Sequence, residues 1–156
     1  MNKKWKISEI KNSKKLKDIA DIILRQRINI ILDLLEKYLK NKTIENLHDV
    51  RIGLRRVRYN LELFLVCYDE STFSKFYNKI EKLQNLSGEV RDLDVLLLNL
   101  EKLKESGVLF ENSLIEKVKE NRASFEVELN NQINKFLKSK ALKKFLKEIN
   151  LERSIL

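Results

Sequence analysis

His48-Asp49-Val50-Arg51-Ile52-Gly53-Leu54-Arg55-Arg56-Val57-Arg58 holds the only histidine of the chain together with four arginines. Taken as a helix at about 100° per residue, the stretch sorts these side chains by face. His48, Arg51, Arg55 and Arg58 fall within roughly a quarter-turn of one another. Leu47, Val50, Leu54, Val57, Leu61 and Phe64 form a continuous apolar stripe on the other side. Surface helices usually mix acids among their bases, because like charges three or four residues apart repel. Here the cations share one face, which points to an anionic ligand.

Working outward, the composition supports a helical fold. The chain has 156 residues, no proline, and glycine only at Gly53, Gly88 and Gly107. Sheet proteins need turn residues roughly every 8–12 positions, so this poverty of turns argues for few, long helices in one domain spanning residues 1–156. The formal charge of +9 favours polyanionic partners. Lysines crowd both ends, from Lys3 to Lys17 and from Lys138 to Lys147, and read as solvated surface, whereas the arginines cluster mid-chain. A single cysteine, Cys67, excludes an internal disulfide; within Phe64-Leu65-Val66-Cys67-Tyr68 it reads as a buried core thiol. One histidine and one cysteine exclude a His/Cys zinc site within one chain. No segment reaches ~18 apolar residues, and no apolar run follows Met1–Lys6, so a cytoplasmic protein without membrane contact is expected.

Apolar periodicity divides the chain into four main helices. The first runs from about Ser8 to Lys40, ended by Asn41-Lys42-Thr43, with Thr43 and Asn46 supplying cap chemistry for the second. The second, about Ile44 to Tyr68, carries the basic face. Asp69-Glu70-Ser71-Thr72 is the next turn, with Ser71 or Thr72 as cap. The third helix runs from about Phe73 to Glu105. Gly88 inside it costs about 1 kcal/mol against alanine, which implies a kink or a close helix approach. Ser106-Gly107 is a C-terminal stop. The fourth helix spans about Asn112 to Lys138, and Ser139-Lys140 marks a kink before a short last segment ending near Asn150. The aromatic residues, Trp5 and Phe76 among them, fit core stripes, apart from Tyr59 near the basic face. The expected architecture is all-α, an antiparallel bundle of four long helices with a short fifth.

Two motifs carry a family resemblance. His48-x-x-Arg51-x-x-x-Arg55-Arg56-x-Arg58 is followed by Leu83-x-x-Leu86-Ser87-Gly88-x-x-Arg91-Asp92-Leu93-Asp94-Val95. In this order and at this separation they resemble the CHAD domain, the conserved-histidine α-helical domain, over about residues 10–150. The resemblance implies a helical bundle whose basic surface binds inorganic polyphosphate, with His48, Arg51, Arg55, Arg56, Arg58 and Arg91 matching the family's basic residues. Many CHAD domains are fused to a triphosphatase-type domain carrying Glu-x-Glu-x-Lys. Here Glu126-Val127-Glu128-Leu129-Asn130 lacks the lysine and is no motif. The family normally has two four-helix repeats, whereas this chain is about half that length and shows the His-Arg motif once. A homodimer that restores eight helices is therefore expected. Ser87 also replaces a large apolar residue usual before the glycine.

Polyphosphate offers spaced charges and no bases to read. Arginine suits it, because the planar guanidinium donates bidentate hydrogen bonds and stays charged. On this reading Lys75, Lys79 and Lys82 of the third helix supply an opposite wall and Tyr59 a hydrogen-bond donor. Arg91 either binds anion or pairs with Asp92 or Asp94. His48 shares its face with three arginines and is read as an anion contact, since no nucleophile is arranged with it for catalysis. Asp92 and Asp94, two residues apart on a helix, do not face each other as metal ligands. Asp92 is instead expected to hold Arg91 or an arginine of the second helix. The leading reading is a non-enzymatic polyphosphate binder with neither cofactor nor metal; a basic helical nucleic-acid binder is the alternative.

Overall fold

The computed structural model describes residues 15–153. Among them are five α-helices and no strand: α1 (Leu16–Lys40), α2 (Ile44–Leu63), α3 (Glu70–Glu105), α4 (Asn112–Leu137) and α5 (Lys140–Glu148). Trp5 and the expected start of the first helix at Ser8 lie outside the described residues. Connections as short as 41–43 force consecutive helices to run antiparallel. From α1 to α4 each helix packs chiefly on its neighbours in sequence, α1 and α4 touch lightly, and α5 folds back past α4 onto α3. The all-α bundle with a short fifth helix is thus the fold. No helix among the described residues is long and apolar enough to cross a membrane.

The apolar stripe of α2 does what its spacing requires. Leu47, Val50, Leu54, Val57 and Leu61 are fully buried against Ile28, Ile31, Leu35, Ile80 and Leu83. Each such side chain contributes about 1.5–3 kcal/mol when removed from water. At the far end, Phe76 stacks on Phe145 of α5 at 4.2 Å between ring centroids and meets Phe136 of α4 at 5.9 Å.

Helix ends agree with the sequence in chemistry more than in position. Thr43 Oγ1 accepts from Asn46 N at 3.2 Å and caps α2. α3 starts three residues earlier than expected, because Asp69, rather than Ser71 or Thr72, accepts from Thr72 N at 2.9 Å. α3 closes on Gly107 at φ +88°, with Val108 N donating to Leu103 O and Gly107 N to Lys104 O. This double bond pattern meets the last carbonyls, and only glycine adopts that φ without strain. α2 stops at Leu63, not Tyr68: a 3-10 turn over Leu65–Cys67 swings the chain so that Tyr68 Oη donates to Asp21 of α1 at 2.8 Å. Leu65 and Val66 are left exposed, and Cys67 is half-buried rather than in the core.

The close helix approach expected at Gly88 is found instead at Gly53. A Cβ at Gly53 would lie 2.8 Å from Ile31 Cδ1 and 3.1 Å from Leu34 Cδ1, so this is where two helices approach closely. At Gly88 a Cβ would meet only Arg51 Nε, at 4.0 Å. Gly53→Leu is therefore expected to destabilise the fold by about 2–3 kcal/mol through overpacking. Urea unfolding measures this; a loss below about 0.5 kcal/mol would show that α1 can move away.

Candidate anion-binding site

The cleft nearest the sequence motifs lies between α2 and α3. It encloses about 320 Å³ and is lined by Arg51 and Arg55 from α2 and by Gln84, Asn85, Gly88, Glu89 and Asp92 from α3. Two pairings fix the register of its walls: Gly88 lies beneath Arg51, and Tyr77 Oη donates to Glu62 at 2.7 Å. One turn further toward the α2 N-terminus, the same register brings His48 level with Arg91. The absence of a side chain at Gly88 keeps the floor low, so the Arg51 guanidinium faces open space.

Several guanidinium groups here are not consumed by the protein. Arg51 and Arg55 form no hydrogen bond or ion pair among the described residues. Arg91 is half-buried, and its Nη1 is buried with no hydrogen-bond partner among the described residues. A buried donor left unmet costs about 1–3 kcal/mol, which an arriving oxygen would relieve. Arg56 turns from the cleft toward α1, where burial and then its own charge lower the Arg27 pKa. His48 is exposed at the start of α2.

Other residues singled out from the sequence stand elsewhere. Arg58 Nε donates to Glu62 at 2.8 Å; that bond holds the guanidinium pKa up, while Arg58 and then Tyr77 hold the Glu62 carboxyl below its usual range. Tyr59 is exposed, its ring centroid 6.0 Å from the Arg58 guanidinium. Lys79 and Lys82 line a separate cleft between α3 and α4, where Lys82 Nζ lies 3.8 Å from Glu128. Lys75 donates to Ser71 at 3.1 Å. None of the three lines the arginine cleft.

Asp92 forms no ion pair among the described residues, contrary to its expected hold on an arginine. The paired carboxylate is Asp94, which is 4% exposed and accepts from Arg122 Nε of α4 at 2.8 Å. Arg122 Nη1 also donates to Glu126 at 2.8 Å, and Glu126 accepts from Tyr38 Oη at 3.1 Å, so one network ties α1, α3 and α4. Burial pulls the Arg122 pKa down, but the bonds to Asp94 and Glu126 outweigh it and leave it raised. Burial, then Glu126, pushes the Tyr38 hydroxyl well above its ordinary value. The sequence does carry one signal for this network. Asp94 continues the core spacing of Leu83, Ser87 and Val90, and a carboxylate there demands a partner.

The model of one family, the CHAD domain, matches residues 3–101, which take in α1, α2 and most of α3 with both walls of the arginine cleft. Neither the curated proteins nor the solved structures hold a match to the chain. With more than half of its length matched, the chain belongs to the CHAD-domain family.

Proposed function

We propose that this protein binds inorganic polyphosphate in the α2–α3 cleft, without catalysing a reaction, and does so as a homodimer. The observation that carries the reading is the pair Arg51 and Arg55 over Gly88: two unpaired guanidinium groups above an open floor. Membership of a family associated with polyphosphate supports the choice of anion. His48 and Arg91 extend the cationic surface beyond the cleft, while Arg56 stands on the α1 side of α2. Glu89 and Asp92 line the same space, so the ligand must outcompete two carboxylates. A polyvalent chain does this by engaging several cations at once; a single monovalent ion does not.

The test is a titration with polyphosphates of increasing length at several salt concentrations. Affinity is expected to rise with chain length and to fall steeply with salt, as counterions are released. Gly88→Leu, which fills the cleft without disturbing the core and removes a helix-interior glycine, is expected to weaken binding at least tenfold with an unchanged or raised melting temperature. Tighter binding of duplex DNA than of polyphosphate in direct competition would instead favour a nucleic-acid partner. Orthophosphate release in the presence of magnesium would overturn the non-catalytic assignment.

A further inference from the structure

The α3–α4 hairpin is longer than the bundle that supports it. Tyr38, near the end of α1, bonds Glu126, and Asp94 bonds Arg122, while the register set by Gly88 and Arg51 brings the start of α2 level with about residue 95. Residues 96–105 of α3 and 112–121 of α4 therefore continue past α1 and α2 by about 15 Å, at 1.5 Å per helical residue. Within those two stretches only Leu100 and Val118 are buried. Half of the exposed large hydrophobic side chains among the described residues lie between 95 and 114, including Leu109 at 97% exposure.

Two features indicate what covers this surface. Along α3, Gln84, Gly88, Arg91, Val95 and Leu98 recur at spacings of four and three, one stripe on one face. Its first part is roofed by α2 and forms the cleft; past the first turn of α2 the stripe turns apolar, and no helix among the described residues lies over it. The second feature is charge. Residues 95–120 carry five glutamates against four lysines, near neutrality in a chain of net +9. Two copies can meet there without the repulsion they would feel elsewhere, and mixed charges suit an isologous contact. Val95 and Leu98 lie on the stripe and Leu96 and Leu103 on its flank, so that with Leu109 and Leu114 the projecting hairpin offers a partner exposed apolar side chains along its length.

We infer that a second copy of this chain docks on the projecting α3–α4 hairpin, its own hairpin packing over Val95 and Leu98 to form a four-helix junction. The two arginine clefts would then lie on either side of that junction, each continuing the stripe that the dimer buries. The inference rests on the homodimer part of the proposed function and not on its ligand.

Sedimentation equilibrium of the full chain, from about 1 to 100 µM, tests it. The chain is expected to be a dimer, and the Leu98→Glu, Leu109→Glu double variant a monomer with unchanged helical circular dichroism. Val66→Glu, at the opposite end and equally solvent-facing, is expected to remain dimeric. A dimer that survives L98E/L109E, or that dissociates on V66E, would overturn this interface while leaving the homodimer standing. A wild-type monomer throughout the range would overturn both. Polyphosphate titration of the same variants reads the ligand independently.

Discussion

Replacing Arg51 and Arg55 together with alanine is expected to weaken polyphosphate binding by about a hundredfold while leaving the fold intact. A hydrogen bond to a charged partner is worth about 1.5–3 kcal/mol, and an open cleft places these at the low end; two such losses come to roughly 3 kcal/mol. Neither side chain has a partner to leave behind among the described residues, so thermal stability is expected to be unchanged or slightly raised by relief of like-charge repulsion. The dependence of log affinity on log salt should become shallower by about one to two, because two fewer counterions are released. Arg58→Ala is the informative contrast. Its guanidinium is committed to Glu62, so a loss below about threefold is expected. Isothermal titration of the three proteins decides the matter, and a double variant that binds as tightly as the native chain would remove the cleft from consideration.

Asp94→Ala is expected to cost about 3 kcal/mol of stability, the largest effect of a single substitution away from the apolar core. Removing one partner of a buried ion pair strands the other, at about 3–5 kcal/mol. The low end applies because Arg122 keeps Glu126 and its side chain remains 22% exposed. Asp94 Oδ2 is already buried without a hydrogen-bond partner among the described residues, so part of the desolvation cost is present in the native state. The expected fall in melting temperature is about 6–12 °C for a chain of this size. Arg122→Met added to Asp94→Ala should recover part of the loss, since replacing a buried pair by apolar groups is far cheaper than breaking it. Polyphosphate affinity of folded Asp94→Ala should stay within about twofold of native, because Asp94 bonds α4 and not the cleft. Equilibrium unfolding that places Asp94→Ala within 1 kcal/mol of the native chain would contradict the network's role.

The reach of the sequence is clearest in α2. Its apolar spacing named Leu47, Val50, Leu54, Val57 and Leu61, and all five are fully buried, because a 3.6-residue period leaves a helix one way to face a core. The same period placed Arg51 and Arg55 beside each other. What it could not supply is which neighbouring helix completes a wall. Lys79 and Lys82 share a helix face, yet that face looks toward α4, and the opposite wall of the arginine cleft is made by Gln84, Gly88 and Asp92. Pairing across helices depends on register and crossing angle, which no single-helix pattern encodes. The same limit applies to the carboxylates: the one that pairs is Asp94, on the core spacing, and its arginine lies 28 residues away on α4. Gly53 shows the complementary limit. Nothing in the sequence around it marks a close approach, yet Ile31 Cδ1 stands 2.8 Å from where its Cβ would be.

The order in which the helices pack also governs how the chain reaches this state. Since α1 rests on α2, α2 on α3 and α3 on α4, most contacts join residues close in sequence, and each hairpin can form as soon as its two helices exist. Loop-closure entropy stays small at every step, which puts the protein among chains that fold in about microseconds to milliseconds. With no proline in the sequence, no peptide-bond isomerisation of tens of seconds delays it. The late events are the few long closures, Tyr38 to Glu126 across 88 residues and Arg153 to Asn29 across 124. The arginine cleft needs neither of them: both its walls come from the single hairpin of α2 and α3, so the cleft is assembled before the bundle closes.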